Sequence, residues 1–409
     1  MKEIKGTKIL IVGFGKEGKS TFGYLKKNYP KLKITVVDKQ IDGENYLNEI
    51  EKYDTVIKSP GVPAKDKIKK AKHLTTPTNI FFEKCPGTII GVTGTKGKST
   101  TSSLIAHILK QFKKDVRLVG NVGNPALDYL EKANKETFFV MELSSFQLSD
   151  IHYSPHIAVL LPIYQEHLDY HGNMRNYVKA KANITKFQIE KNYFLYYKKN
   201  KYCQQITKTT KAFKIPFEKF SKNIPLPLLG EANKINVAAA VAAASLFISK
   251  KKVLNAIYTF KPLPHRLEFA GEFQGINFVN DSLATIPEAT ANALSAFNNE
   301  IETLIAGGHD RGINYRILGK AIANSKVKNL ILFPNTGEKI EKIIKTTKVK
   351  RKIKIFHTTK TKDAVNIAYK NTSKGKLFFY LRPHRALIYF VIMKTAAINS
   401  KSLQKKLGK

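Results

Sequence analysis

Short apolar stretches recur along the chain, each running into a turn and then into a longer stretch of mixed polarity. Apolar runs of this length, bounded by turn residues, predict strands of a parallel sheet covered on both faces. Lys8 to Val12 leads into Gly13-Phe14-Gly15-Lys16-Glu17-Gly18, and Ile34 to Val37 ends at Asp38, the rhythm of a βαβ unit. Thr55 to Ile57 runs into Ser59-Pro60-Gly61-Val62-Pro63, a turn-rich loop at a strand end. Beyond Pro86-Gly87 the pattern restarts with Thr88 to Val92, so a first domain is expected over 1–87. Strands at Thr137 to Glu142 and Ile157 to Leu161, with helices at Met174 to Lys191 and Asn233 to Ser249, predict a second domain over 88–261. The prolines of Lys261-Pro262-Leu263-Pro264 close it, because the residue before a proline is pushed out of the helical region. Glu302 to Ala306 and Leu330 to Phe333 are strands of a third domain over 262–409. The expected class is α/β in three domains, the first and third Rossmann-like and the central one built on a parallel sheet.

Length agrees, since 409 residues exceed what one hydrophobic core supports. A content of 43% hydrophobic and 25% charged residues is that of a globular protein. Cys85 and Cys203 form no CxxC pair, which predicts neither a disulfide framework nor a zinc site and fits a reducing cytoplasm. The start shows no signal-peptide pattern. The longest apolar run, Val237 to Ile248, is well short of the ~20 residues that span a bilayer, so no membrane segment is expected. Seventy Lys and Arg against thirty-one Asp and Glu leave a net charge of +39, a field that attracts polyanions. The lysines are scattered from end to end, without a helix-turn-helix, zinc finger or RNP-type aromatic cluster. The charge therefore reads as a solvated surface that favours anionic substrates, and no specific nucleic-acid partner is expected.

The chemistry concentrates in Gly91-Val92-Thr93-Gly94-Thr95-Lys96-Gly97-Lys98-Ser99-Thr100, between a predicted strand and a predicted helix. Glycines let backbone N–H groups face phosphate oxygens, the helix N-terminus adds positive potential, Lys98 reaches the terminal phosphates and Ser99 can ligate Mg²⁺. The usual first glycine of this loop would fall at Val92 and stands instead at Gly91. Glu142 ends a strand within MELSSFQL, so its carboxylate lies at the same sheet edge, where an acid holds Mg²⁺ in P-loop enzymes. His167, in Gln165-Glu166-His167-Leu168-Asp169-Tyr170-His171, and Lys181, in the next helical stretch, read by themselves as a structural histidine and a surface lysine.

In combination they say more. The order GTKGKST, ELSSFQL, EHLDYHG and YVKAKA resembles the Mur ligases of peptidoglycan synthesis, from about Lys8 to Tyr380, and most of all their D-glutamate-adding branch. The resemblance implies an ATP-dependent amide-forming ligase. It places ATP on Gly94 to Thr100, Asn233, Asn236, Arg266 and Asp281, and two Mg²⁺ ions on Ser99, Glu142, His167 and a carbamylated Lys181. It assigns the turn from Gly13 to Gly18, with Asp38 and Asn121, to UDP-N-acetylmuramoyl-L-alanine, and Arg311 to the incoming D-glutamate. His167 would serve both metal and substrate, and the enzyme would act as a cytoplasmic monomer. Leu283 stands where the family usually has a lysine, so one positive charge is missing.

Other readings stay open on the residues alone. The glycine turn after the first strand also suits NAD. A folylpolyglutamate synthase-like ligase would begin close to its P-loop, whereas some ninety residues precede it here. A basic nucleic-acid-stimulated NTPase is the non-ligase alternative. At the C-terminal end, Leu381 to Ser400 lacks the family's Ser-Pro-Ala loop, yet freely chosen codons for this stretch spell that loop in a shifted frame. A reading-frame change there would leave a chain that binds ATP and the UDP substrate but ligates D-glutamate poorly.

Overall fold

The computed structural model describes residues 2–63, 67–121, 124–220, 231–263, 268–281, 287–297, 300–308, 310, 313–347 and 351–380. Its strands form three sheets. The first contains β1 (Lys8–Val12), β2 (Lys33–Val37), β3 (Thr55–Lys58) and β4 (Leu74–Thr75), all parallel in the order β2-β1-β3-β4. Ile9, Ile11 and Ile57 point to one core and Leu10, Val12 and Val56 to another. Both faces of these strands are covered, which is why their sequences run apolar without alternation.

The second sheet holds β5 (Thr88–Thr93), β6 (Val116–Gly120), β7 (Phe138–Glu142), β8 (Ile157–Leu160), β9 (Tyr193–Tyr197) and β10 (Phe213–Phe217). It too is parallel, in the order β10-β9-β8-β5-β7-β6. Phe81, Phe139, Met141, Leu160 and Tyr177 belong to one continuous core that also takes in Ile9, Ile11 and Ile57 of the first sheet, with Leu25 and Ile80. The third sheet contains β11 (Glu268–Phe273), β12 (Ile276–Asn280), β13 (Ile301–Gly308), β14 (Asn329–Asn335), β15 (Lys354–His357) and β16 (Leu377–Tyr380), in the order β11-β12-β16-β13-β14-β15. β11 alone runs antiparallel to its neighbour, turned by Gln274 and Gly275, whose φ angles of 51° and 82° suit a tight hairpin. The chain divides into two compact units, Met1–Pro225 with Ile235–Phe260, and Leu226–Lys234 with Lys261–Lys409. The three-domain α/β class expected from the sequence is the one observed.

Several element lengths differ from the sequence expectation. The helix expected over Met174 to Lys191 stops at Ala182, followed by one 3₁₀ turn, Asn183–Thr185. Polar side chains end it: Asn183 Nδ2 donates to the Leu148 carbonyl at 2.9 Å, and Gln188 Nε2 donates to the carbonyls of Pro155 and Tyr193, each at 3.0 Å. These bonds tie the segment to the helix Ser145–Ser149, to the lead-in of β8 and to β9, overriding the helical pattern of its apolar residues. The alanine-rich helix runs over Glu231–Ala244 and not to Ser249. β9, β10 and the β11–β12 hairpin carry no clear sequence signal.

Candidate active site

Gly97 caps the helix Lys98–Gln111 with φ +88°, and a Cβ there would lie 2.1 Å from Asn236 Oδ1. Gly94 has φ +148°, and its Cβ would lie 2.5 Å from that of Leu161. Only glycine meets both the left-handed backbone and the close approach at these two places. Thr95 pins the loop between them. Its N–H donates to the Pro162 carbonyl at 3.0 Å, and its hydroxyl accepts from the Tyr164 N–H at 2.9 Å and stands 3.1 Å from the Tyr177 hydroxyl. The result is a fixed cradle of N–H groups opening a helix, the geometry that binds phosphate. Lys98 bends back over it, donating to the carbonyls of Gly94 at 3.2 Å and Thr95 at 3.0 Å.

Lys181 is the surprise of the site. Alone in sequence it reads as surface, but it is 1% exposed, and its Nζ donates to the same Gly94 carbonyl at 2.8 Å. Burial first, then the charge of Lys98, hold its pKa well below the ordinary lysine value, against the pull of Glu166 and Glu142. Desolvation thus weighs against the charged ammonium form of this side chain. Glu142 ends β7 with Oε1 accepting from Asn121 Nδ2 at 2.8 Å, while its buried Oε2 has no hydrogen-bond partner.

Glu166 is a residue that sequence reasoning passed over. It is 3% exposed, accepts from Lys96 Nζ at 2.8 Å and stands 3.8 Å from His167 Nε2. Burial raises its pKa, but the charge and hydrogen bond of Lys96, with His167 and Lys98, outweigh burial and bring it down to about 2. His167 has φ +56° and caps the short helix Leu168–His171, and its ring stands edge-on to Phe146 at 5.0 Å. A non-glycine residue held left-handed is unusual and collects at functional sites. Removing Lys96 would leave the Glu166 carboxylate buried with less compensation. Breaking such a pair costs about 3–5 kcal/mol when both ends are dry, and Lys96 is a quarter exposed. Lys96→Met is therefore expected to cost about 2 kcal/mol in urea unfolding, and Lys96→Arg much less; equal stability of all three proteins would show that the pair contributes nothing.

A second cluster lies at the carboxyl end of the first sheet. Phe14 and Gln40 donate their backbone N–H groups to Asp38 at 2.7 and 2.9 Å, and these bonds hold the Asp38 carboxyl below its usual range. A Cβ on Gly18 would lie 2.0 Å from the Gly13 carbonyl, so the turn closes onto the start of the helix Lys16–Asn28, where Gly15 is the cap. Lys16 and Glu17 open that helix, and burial together with the charge of Asp128 pushes the Glu17 carboxyl up to about 7.

The structure thus gathers the residues from Gly94 to Thr100 with Asn236, Asn121, Glu142, Lys181, Glu166 and His167 around one loop. Asn233 opens the helix that carries Asn236. Asp281 follows β12 in the other compact unit, its N–H donating to the Tyr380 carbonyl at 3.0 Å. Arg266, Arg311 and the segment from Leu381 to Ser400 lie outside the described residues. Magnesium fits this donor set, because the buried Glu142 Oε2 is a hard oxygen with no hydrogen-bond partner. Among the described residues no three His, Cys, Asp or Glu side chains form a metal cage by themselves. Hydroxyl, phosphate and water oxygens would complete the shell, as is usual for Mg²⁺. A basic cavity of about 540 Å³, lined by Lys328, Lys352, Lys354 and Lys370, lies at the amino ends of β13 to β15, the opposite edge from the one expected to bind ligands.

A phosphate-binding loop between parallel strands, an acid at the next strand end and a buried lysine over the loop define a nucleotide-dependent group-transfer enzyme. Residues 92–225 match the Mur ligase middle domain and 265–380 the Mur ligase glutamate ligase domain. The chain belongs to the Mur ligase family, whose members are ATP-dependent amide-forming ligases. Within it, the chain is 34% identical over 431 aligned residues to the UDP-N-acetylmuramoylalanine–D-glutamate ligase of Ligilactobacillus salivarius, covering 92% of this chain and 91% of that one. The enzyme of the same name from Listeria monocytogenes is 36% identical, over 80% and 77% of the two chains. Among solved structures, UDP-N-acetylmuramate–alanine ligase from Thermotoga maritima matches with a TM-score of 0.62 at 17% identity, over 96% and 99% of the chains. The MurF ligase of Thermotoga maritima, in complex with ADP, gives 0.63 at 15% identity, over 99% and 97%.

Proposed function

We propose that this protein joins D-glutamate to UDP-N-acetylmuramoyl-L-alanine at the expense of ATP. The observation that carries the reading is 34% identity along nine-tenths of a D-glutamate ligase, together with a P-loop, Glu142 and Lys181 brought to one site. In the reaction a carboxylate oxygen of the L-alanine end attacks the γ-phosphorus of ATP and ADP leaves. The D-glutamate amine then attacks the acyl carbon, and phosphate departs. Such phosphoryl transfer depends on positioning and on neutralising charge, which the N–H cradle and Lys98 supply. Ser99, Glu142 and His167 would hold two Mg²⁺ ions, which neutralise phosphate charge. Lys181, as its free amine, would add to CO₂, forming an N–C bond and releasing a proton, and so become a carbamate anion where an ammonium could bind no metal.

The first sheet, taken as a domain over 1–87, would receive the UDP moiety on the turn from Gly13 to Gly18 and Asp38, with Asn121 reaching the same substrate. The domain over 88–261 would hold ATP, and that over 262–409 would present Arg266 and Asp281 to ATP and Arg311 to D-glutamate. Among the described residues no helix is long and apolar enough to cross a membrane, and action as a cytoplasmic monomer completes the proposal. A coupled assay of phosphate release tests it. Release should require UDP-N-acetylmuramoyl-L-alanine and rise with D-glutamate; turnover indifferent to both and stimulated by nucleic acid would overturn it.

A further inference from the structure

Lys58, at the carboxyl end of β3, is fully buried and takes no part in the chemistry above. Its Nζ donates to the Val62 carbonyl at 2.9 Å, closing the loop Ser59–Pro63 on itself. Ser59 Oγ in turn donates to the Gly13 carbonyl at 2.9 Å, and a Cβ on Gly13 would lie 3.0 Å from both Ser59 and Val62. The loop is thereby pressed onto the glycine turn of the first sheet. On its other side Lys58 Nζ lies 3.0 Å from Asp150 Oδ2, at an angle that makes an ion pair without a directed hydrogen bond.

Asp150 is a firm anchor. It closes the helix Ser145–Ser149, whose capping box, Ser144 with Gln147, begins just after Glu142. Its carbonyl accepts from Nδ2 of the buried Asn79 at 2.9 Å, and Asn79 Oδ1 accepts from the His152 N–H at 2.8 Å. One buried cation therefore joins the loop over the glycine turn to the segment that carries Glu142. Burying such a pair gains little net stability over an apolar pair of the same size, so stability does not account for it. Orientation does: an apolar side chain at 58 could fill the space but could not hold the Val62 carbonyl or face Asp150.

We propose that Lys58 is a positioning residue for the UDP-linked substrate, setting the Ser59–Pro63 loop and the glycine turn in register with the Glu142 segment. The proposal rests on the function given above. Its test is calorimetric binding of UDP-N-acetylmuramoyl-L-alanine and of ATP to the full chain, with steady-state constants for both. Lys58→Met should weaken the UDP substrate about tenfold while ATP binding stays within about twofold, and Lys58→Arg should recover part of the loss. Asp150→Asn, which keeps the shape and removes the charge, should weaken the same substrate about threefold and provides the test if Lys58→Met fails to fold. Unchanged binding in the folded variants, or equal losses for both ligands, overturns the proposal. A wild-type chain that does not bind the UDP substrate would instead defeat the functional reading and the proposal with it.

Discussion

Lys98→Ala should leave a folded protein whose phosphate release falls by about a thousandfold or more, near 4 kcal/mol of transition-state stabilisation. Lys98 sits at the first position of the helix and spends its hydrogen bonds on the carbonyls of its own loop, Gly94 and Thr95. Among the described residues its ammonium is hydrogen-bonded to its own loop, so most of the loss belongs to chemistry and not to folding. In turnover the same amine would swing to the β- and γ-phosphates, where charge develops as the bond to ADP breaks. Circular dichroism and urea unfolding should match the wild type. Phosphate release within tenfold of wild type would remove Lys98 from the mechanism.

The second large effect is expected at Lys181. Lys181→Ala should lose nearly all ligase activity, and a short carboxylic acid such as formate or acetate should restore a measurable part. The physical reason is the site around the side chain. Burial and the charge of Lys98 disfavour an ammonium at this place, and a carbamate would put an anion beside Lys98 instead. Once the side chain is cut back to alanine, a small carboxylate occupies the same space with the same charge. Rescue should follow the size of the acid, with bulky acids inactive. An active Lys181→Ala protein, or one rescued equally by chloride, would refute the carbamate.

The P-loop was legible because its signal is contiguous: a strand, glycines and Lys-Ser-Thr within ten residues meet no competing explanation. Glu142 was legible for a similar reason, since a strand end fixes where a side chain lies. The electrostatics were not. Lys96 meets Glu166 and Lys58 meets Asp150 through pairings between segments far apart in the chain, and nothing in local periodicity marks either partner. Lys181 needed the family resemblance, because a lysine among many reads as solvent-facing until the fold buries it. The overlong helix after Met174 has the same origin: Asn183 finds a carbonyl partner on the helix Ser145–Ser149, and Gln188 finds partners before β8 and on β9, none of which the sequence pattern reveals. Leu381 onward differs in kind, for the glutamate ligase domain match also ends at residue 380. Resequencing this stretch decides between a divergent tail and a shifted frame.

The strand order of the second sheet has a consequence for how the molecule is made. β5 carries the P-loop at its end, yet its hydrogen-bonded neighbours are β7 and β8, which follow it after long intervening stretches. β1 to β4, by contrast, are all in hand by Thr75. At about 5–20 residues per second, a ribosome delivers the flanking strands roughly several seconds after β5 itself. Through that interval the apolar residues of β5, Ile89, Ile90 and Val92, lie beside neither of the strands they pair with in the finished sheet. The nascent chain is then most exposed to aggregation and to chaperone capture, and it holds its first sheet before it can hold a nucleotide.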